Sequence, residues 1–401
     1  MFSDIIIHGI PELINFFNQI RMSFYFSKPQ IRHFQAFIIA MQINRFDGKL
    51  YTVSEFALNT CRTCIGRFLD SDAWNEDYLL REMQRYSIDK IWMKSKETGS
   101  PIYLIIDDTI CKKTKPSSKA KQPIAGCGFH YSHLDKKQVY GQQFVTAMLR
   151  CGDLVLPFDT ILYDKKEDSK IGIAKRIIES MPIPVDKGYV LADSWYSCET
   201  LYKTSISNGF HYIGGMKSNR NIYPRGFKKK GIQIGKFVHS LKLSDFDLVT
   251  INGEDYHAYT ILGKIKGMNK VKVVITYPVG VAHNPSTLKI FVSTDIKMST
   301  KQLLNHYSCR WPIELYFREA NRRLGMKQCQ AHSLKAVKRY QYIVMLCYTF
   351  CGLEIQGGSL GFSSQRSINE KSIEAAKLAW LYKQAQNSVP FDEILATYRL
   401  R

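Results

Sequence analysis

Two apolar runs that each end in a carboxylate constrain this chain more than any other feature. Ile102-Tyr103-Leu104-Ile105-Ile106 leads without a break into Asp107-Asp108-Thr109, and Gly188-Tyr189-Val190-Leu191-Ala192 leads into Asp193-Ser194-Trp195. A strand with one wet face alternates polar and apolar residues, whereas an unbroken run needs burial on both faces, as in a sheet covered by helices on each side. Polar residues at the carboxyl ends of such strands gather where ligands bind. Each Asp also fits a plain helix N-cap following a strand, and either run alone leaves the two readings level.

The rest of the chain frames these strands. Residues 11–94 read as helical, with apolar residues recurring at three and four in Leu13–Ile20 and Phe34–Met41. Thr52 and Glu55 have capping-box spacing ahead of Phe56-Ala57-Leu58, and a further helix over Cys61–Phe68 fits either a helix-turn-helix or a small bundle. Val139–Leu149 and Leu154–Tyr163 read as strands and Ile171–Met181 as a helix. Residues 210–294 are rich in Val, Ile, Tyr, Thr and Lys, with turn signals at Asn252-Gly253, Lys266-Gly267 and Asn284-Pro285, so a mostly β module is expected there. Helical patterns return over Thr300–Leu324 and Leu334–Leu353. Gly357–Ser367 reads as a linker, and Ser367 with Glu370 as the cap of an amphipathic helix through Gln386.

Several classes are excluded. The apolar stretch Tyr340–Leu353 is shorter than the roughly 20 residues a membrane span needs, so it reads as a buried helix. Met1–Ile10 carries Asp4 and His8 without a basic n-region, unlike a secretory signal. Ten scattered cysteines suit a reducing cytoplasm. Cys61 and Cys64 form a CxxC that the helical pattern is expected to bury; with no second CxxC, structural zinc is disfavoured. Cys111, Cys127, His130 and His133 make a looser ligand-like set, and Cys347 and Cys351 read as core.

The formal net charge of +21 calls for an anionic partner. Its distribution is more informative than its size. Residues 1–100 hold 12 basic and 11 acidic side chains, whereas 101–150 hold 8 and 3, and both 201–250 and 301–350 hold 9 and 2. The near-neutral N-terminal segment therefore lacks the footprint of a strong independent DNA reader.

Two carboxylates brought together at strand ends make a costly site unless a divalent cation neutralises them, and oxygen-only ligands favour Mg²⁺ or Mn²⁺. A third element is Tyr307-Ser308-Cys309-Arg310-Trp311-Pro312-Ile313-Glu314. With Pro312 in the first turn of a helix, Glu314 lies one turn in and Arg318 follows at i+4. Taken alone, Glu314 and Arg318 would be a surface ion pair contributing about 0–1 kcal/mol.

Together the three segments resemble the catalytic core of the DDE transposases of bacterial insertion sequences, in particular the cut-and-paste group marked by Tyr-x2-Arg-x3-Glu-x6-Lys. Asp107-Asp108-Thr109 is similar to its first motif, which favours Asp107, with Asp108 as fallback; Leu191-Ala192-Asp193-Ser194-Trp195-Tyr196 is similar to the second. Tyr307, Arg310 and Glu314 match the signature, whereas the family's Lys is Asn321 here, with Arg318, Arg322 and Arg323 as neighbours able to supply a phosphate contact.

The resemblance implies an α/β, RNase H-like mixed sheet flanked by helices. Its parts would be a helical N-terminal domain over 1–100 with a possible role at DNA ends, a catalytic core over 101–209 and 295–355, a β-rich insertion domain over 210–294, and a linker with C-terminal helices over 356–401. It implies a metal-dependent DNA transposase that cleaves transposon ends and transfers the 3′-hydroxyl to target DNA. Asp107, Asp193 and Glu314 would be catalytic and hold Mg²⁺ or Mn²⁺, with two ions expected. Tyr307, Arg310, Arg318, Arg322, Arg323 and Lys228-Lys229-Lys230 would bind DNA, the lysines with Tyr223 and Phe227 interleaved as in a groove for distorted strands. Tyr256 or Tyr259 would stand in for a base-stacking Trp that the insertion lacks. The partners would be transposon-end and target DNA and a second protomer in the active complex, with no membrane, in a bacterial cytoplasm near the nucleoid. The alternative, motivated by Asn321, is a catalytically inactive DNA-binding descendant. An aspartate-nucleophile phosphatase is disfavoured because Asp107 and Asp108 are adjacent, where that chemistry wants one residue between them.

Overall fold

The computed structural model describes residues 11–43, 46–56, 60–132, 135–225, 231–281, 284, 286–352 and 362–398. Among the described residues six helices come first: α1 Pro11–Gln19, α2 Met22–Tyr25, α3 Lys28–Gln42, α4 Leu50–Ser54, α5 Arg62–Asp70 and α6 Glu76–Thr98. Then follow β1 Ile102–Lys112, β2 Gly128–Ser132, β3 Lys137–Cys151, β4 Leu154–Leu162, α7 Lys170–Glu179, β5 Gly188–Ala192, α8 Glu199–Ser207 and β6 His211–Gly215. Next are β7 Asn221–Pro224, β8 Ile232–Gln233, α9 Ile234–Val238, β9 Asp247–Ile251, β10 Glu254–Ile265, β11 Met268–Pro278 and β12 Lys289–Ser293. The chain continues through α10 Thr300–Ser308, α11 Pro312–Arg322, α12 Leu334–Gly352, α13 Phe362–Gln386 and α14 Phe391–Tyr398.

Twelve strands form one mixed sheet. One half runs β4-β3-β1-β5-β6: β3 is antiparallel to both β4 and β1, whereas β1, β5 and β6 are mutually parallel. Beyond β6, antiparallel β12, β11 and β10 extend the same sheet. The β9–β10 hairpin turns at Asn252-Gly253, both with positive φ (52° and 83°), which is why Asn and Gly stand there. This is an RNase H-like α/β architecture.

Burial on both faces explains the unbroken apolar runs. On β1, Tyr103 and Ile105 enter one core with α3, α5, α11 and α12, while Ile102, Leu104 and Ile106 enter a second core with α7 and α8. On β5 the same alternation sends Tyr189 and Leu191 to the first core and Val190 and Ala192 to the second. A buried arginine ties the N-terminal helices to α12: Arg339 donates to the carbonyls of Phe68 (3.1 Å), Leu69 (3.2 Å), Asp72 (3.0 Å) and Trp74, pairs with Glu76 at 3.1 Å, and covers the Trp74 ring at 4.1 Å.

Two helix boundaries differ from the sequence reading, and the start at Pro312 follows it. Thr52 lies inside α4, because Asp47 accepts from Lys49 N (3.0 Å) and Thr52 Oγ1 (2.9 Å) and turns the chain earlier. The pattern over Thr300–Leu324 is two helices, since Pro312 has no N–H to offer the Ser308 carbonyl. Ser367 and Glu370 lie within α13, which also takes in Phe362–Ser367 of the expected linker, while Gly357–Gly361 lie outside the described residues.

Candidate active site

Register brings the first two carboxylates together. Ile106 is opposite Ala192 on parallel β1 and β5, so Asp107 and Asp193 follow as the next neighbours, on strands about 4.8 Å apart. Period-two alternation then directs both to the face of the first core, the side on which α11 packs through Ile313, Tyr316 and Ala320. Asp193 also caps its turn: Oδ1 accepts from Trp195 N at 2.8 Å and Tyr196 N at 3.3 Å.

The third carboxylate arrives on α11. The turn before that helix is fixed from several sides: Arg150 donates to the Cys309 carbonyl (3.3 Å), His306 Nδ1 and the Tyr103 hydroxyl are 2.7 Å apart, and the His306 ring stacks on Tyr189 at 4.6 Å. Arg310 therefore points inward, where Nη1 donates to Asp107 Oδ2 at 2.6 Å and Nη2 donates to Glu314 Oε1. The Asp107 and Arg310 side chains are 17% and 14% exposed and Glu314 38%, so a probe entering the site meets Glu314 first. The Tyr307 ring lies 4.6 Å from Phe291 and 5.9 Å from the Arg310 guanidinium.

Asp108 is committed elsewhere. On the opposite face its Oδ1 accepts from Lys170 Nζ (2.9 Å) and the Tyr196 hydroxyl (3.0 Å), and its Oδ2 from Gln143 Nε2 (2.5 Å). Lys170 Nζ also sits 4.0 Å from the centre of the Trp195 ring. The network of Gln143, Lys170 and Tyr196 was missed by sequence reasoning. Trp195 and Tyr196 were visible beside Asp193, but nothing local marks Lys170.

Electrostatics favour an added cation. Burial pushes the Asp107 carboxyl up to about 7, Arg310 opposes the shift and the nearby Asp193 adds to it, so one guanidinium does not fully compensate the group. The available donors are hard carboxylate oxygens, the chemistry that suits Mg²⁺ or Mn²⁺. Among the described residues no three His, Cys, Asp or Glu side chains are already gathered as a ligand set, because Arg310 lies between Asp107 and Glu314.

The remaining predicted residues spread out along α11 and the β extension. Arg318 and Arg322 are exposed; Arg318 Nε lies 3.5 Å and Arg323 Nε 2.9 Å from Glu319. Asn321 turns inward, its Oδ1 facing Cys111 Sγ at 3.6 Å. Lys217, Arg220, Tyr223 and Arg225 are exposed, whereas Phe227 and Lys228-Lys229-Lys230 lie outside the described residues. The Tyr256 hydroxyl donates to Glu254 at 2.5 Å, and Tyr259 packs on Phe237 and Phe246. His133 of the looser cysteine and histidine set also lies outside the described residues.

A mixed sheet of this order, with one carboxylate midway along β1, which runs on to Lys112 rather than ending at Asp107 as expected, one just after β5 and one on a helix that follows, defines an RNase H-like enzyme core. The family model described as the transposase DDE domain matches residues 99–350, and the chain belongs to that family, whose members are DNA transposases generally dependent on divalent metal ions. No curated protein matches the chain. Among the described residues no helix is long and apolar enough to cross a membrane.

Proposed function

We propose that the chain is a cut-and-paste DNA transposase of the insertion-sequence group with the Tyr-Arg-Glu-Lys signature, cleaving transposon-end phosphodiesters and joining the freed 3′-hydroxyl to target DNA. The observation that supports this is that Arg310 bridges Asp107 and Glu314 on the face of the sheet to which strand alternation also directs Asp193, while Asp108 is held on the other face. The three would hold Mg²⁺ or Mn²⁺, which supplies Lewis-acid activation of the attacking oxygen and charge neutralisation at the leaving one. Arg310 exchanges its carboxylate partners for a DNA phosphate, which its planar fork can grip through two hydrogen bonds. Tyr307, whose hydroxyl burial keeps protonated, donates to a neighbouring phosphate oxygen. Exposed Arg318 and Arg322, with Lys217, Arg220, Arg225 and Lys228-Lys229-Lys230, line the path of the duplex.

On this reading residues 1–100 assist end binding, 101–209 with 295–355 form the catalytic domain, 210–294 the β insertion and 356–401 a C-terminal helical segment. Two protomers act together, since two ends must be joined, and the work is done at the bacterial nucleoid.

The test is incubation of purified protein with a duplex ending in its own element's terminal repeat, with Mg²⁺ or Mn²⁺. Nicking at the repeat boundary followed by joining to a target plasmid is expected. Binding without nicking would instead support the inactive DNA-binding descendant, a reading favoured by one observation: Asn321, where the signature has Lys, faces Cys111 rather than the DNA side.

A further inference from the structure

The CxxC of the N-terminal segment is not buried as its helical pattern suggests. Residues 57–59 lie outside the described residues, and α5 begins only at Arg62, which makes Cys61 the N-cap and Cys64 the third residue of a nine-residue helix. Cys61 is exposed and Cys64 half-buried, and their Sγ atoms lie 3.3 Å apart. Two thiols in contact at a helix N-terminus, one open to solvent and one sheltered behind it, are arranged for exchange chemistry.

Three further observations select redox chemistry over metal binding or simple packing. Among the described residues no third His, Cys, Asp or Glu joins the pair to make a metal site. Hydrogen bonds from Cys64 and Thr63 bring the Cys61 thiol down to about 7, so more of it is thiolate at neutral pH than of an ordinary cysteine. The helix behind the pair is anchored, since Ile65, Phe68 and Leu69 enter the core and Arg339 holds the Phe68 and Leu69 carbonyls, so the first turn stays formed while the sulfurs react.

We infer that Cys61 and Cys64 form a reversible redox-active dithiol, with Cys61 the attacking thiolate, Cys64 the resolving thiol, and a low-molecular-weight disulfide of the glutathione type as oxidant. The Cys61 thiolate attacks one sulfur of the oxidant, forming a mixed disulfide and releasing one thiolate, which takes up a proton. The Cys64 sulfur, on losing its proton, then attacks Cys61 Sγ and expels the second thiol. Two protein thiols are oxidised to one disulfide, and one small disulfide is reduced to two thiols. The site is separate from the carboxylates and independent of the reading of their role.

The experiment uses the full chain in buffers of graded reduced and oxidised glutathione, quenched by alkylation and cleaved after glutamate. The fragment 56–76 then carries Cys61 and Cys64 and no other cysteine. In oxidising buffer that fragment is expected to lose two hydrogens and escape alkylation, and to recover both thiols on reduction. Cys64→Ser should trap a glutathione adduct on Cys61, whereas Cys61→Ser should slow adduct formation at Cys64 by about tenfold or more. In reduced protein at pH 7, Cys61 should alkylate about tenfold faster than an unperturbed exposed thiol. A fragment that stays doubly alkylated throughout would overturn the proposal. So would stoichiometric zinc on the pair in the purified protein, or an adduct that forms first at Cys64.

Discussion

Arg310 is the residue on which the site turns. In the free protein it neutralises part of the charge of Asp107 and Glu314; on the proposed reading the same guanidinium engages a phosphate when DNA binds. Two effects of one substitution follow, in opposite directions. Arg310→Ala should bind Mn²⁺ more tightly than the wild type without DNA, by about tenfold in a calorimetric titration, because two carboxylates lose their internal cation. The same variant should cleave end DNA about 100-fold more slowly, and Arg310→Lys should restore little, since a point charge does not replace a bidentate fork. Weaker Mn²⁺ binding by Arg310→Ala would remove the competition from the account. At this scale the sequence was partly legible: the motif favours Asp107 over Asp108 as the site carboxylate, a proposal with which the opposite faces of the two side chains agree. It could not show that Arg310 bridges two carboxylates, because that contact joins residues more than 200 positions apart.

Elements are held in place by buried polar groups whose partners are distant in sequence. Arg339 has no exposed side-chain surface and satisfies four backbone carbonyls as well as Glu76. Arg339→Met should lower stability by about 3–5 kcal/mol, measured by denaturant unfolding, because the abandoned carbonyls and carboxylate stay buried. Asp159 on β4 is held by Thr160 N (2.7 Å) and Gln84 Nε2 (3.3 Å), and burial pushes its carboxyl up to about 7. A raised carboxyl means that the folded state holds the proton more tightly than the unfolded state. Its contribution is therefore fully present below about 4 and is lost as pH rises through about 7. Unfolding midpoints of Asp159→Asn should show a flatter decline between those values than the wild type. The strands and long helices were legible from periodicity, as with β3, β4 and α7. So was the helix start at Pro312, which lacks an N–H, whereas a boundary set by a side chain, such as Asp47 ahead of α4, was not.

Across the whole molecule, the positive charge falls where the site needs it. The basic excess over 101–150, 201–250 and 301–350 falls on the segments of β1, of β6 to β9 and of α11, while the first hundred residues are nearly neutral. Each lysine that contacts a phosphate releases about one counterion, so Lys228→Ala, Lys229→Ala and Lys230→Ala together should lower the slope of log affinity against log salt by up to about three. An unchanged slope would place that run away from DNA. The excess charge was legible as an anionic partner, in keeping with a family of DNA transposases. Continuity of the β extension with the catalytic sheet was not, because no local pattern announces that β12 pairs with β6.

The central claim is that Asp107, Asp193 and Glu314, and not Asp108, carry the cleavage chemistry. Single-turnover nicking of end DNA in Mn²⁺, with binding measured in parallel, tests it most directly. Asp107→Ala, Asp193→Ala and Glu314→Ala should each lose at least about 1,000-fold in cleavage while binding DNA within about threefold of the wild type, since a lost metal ligand is not a lost phosphate contact. Asp108→Asn should fold less stably yet still cleave. Normal cleavage by Asp107→Ala, with loss confined to Asp108→Asn, would contradict the account.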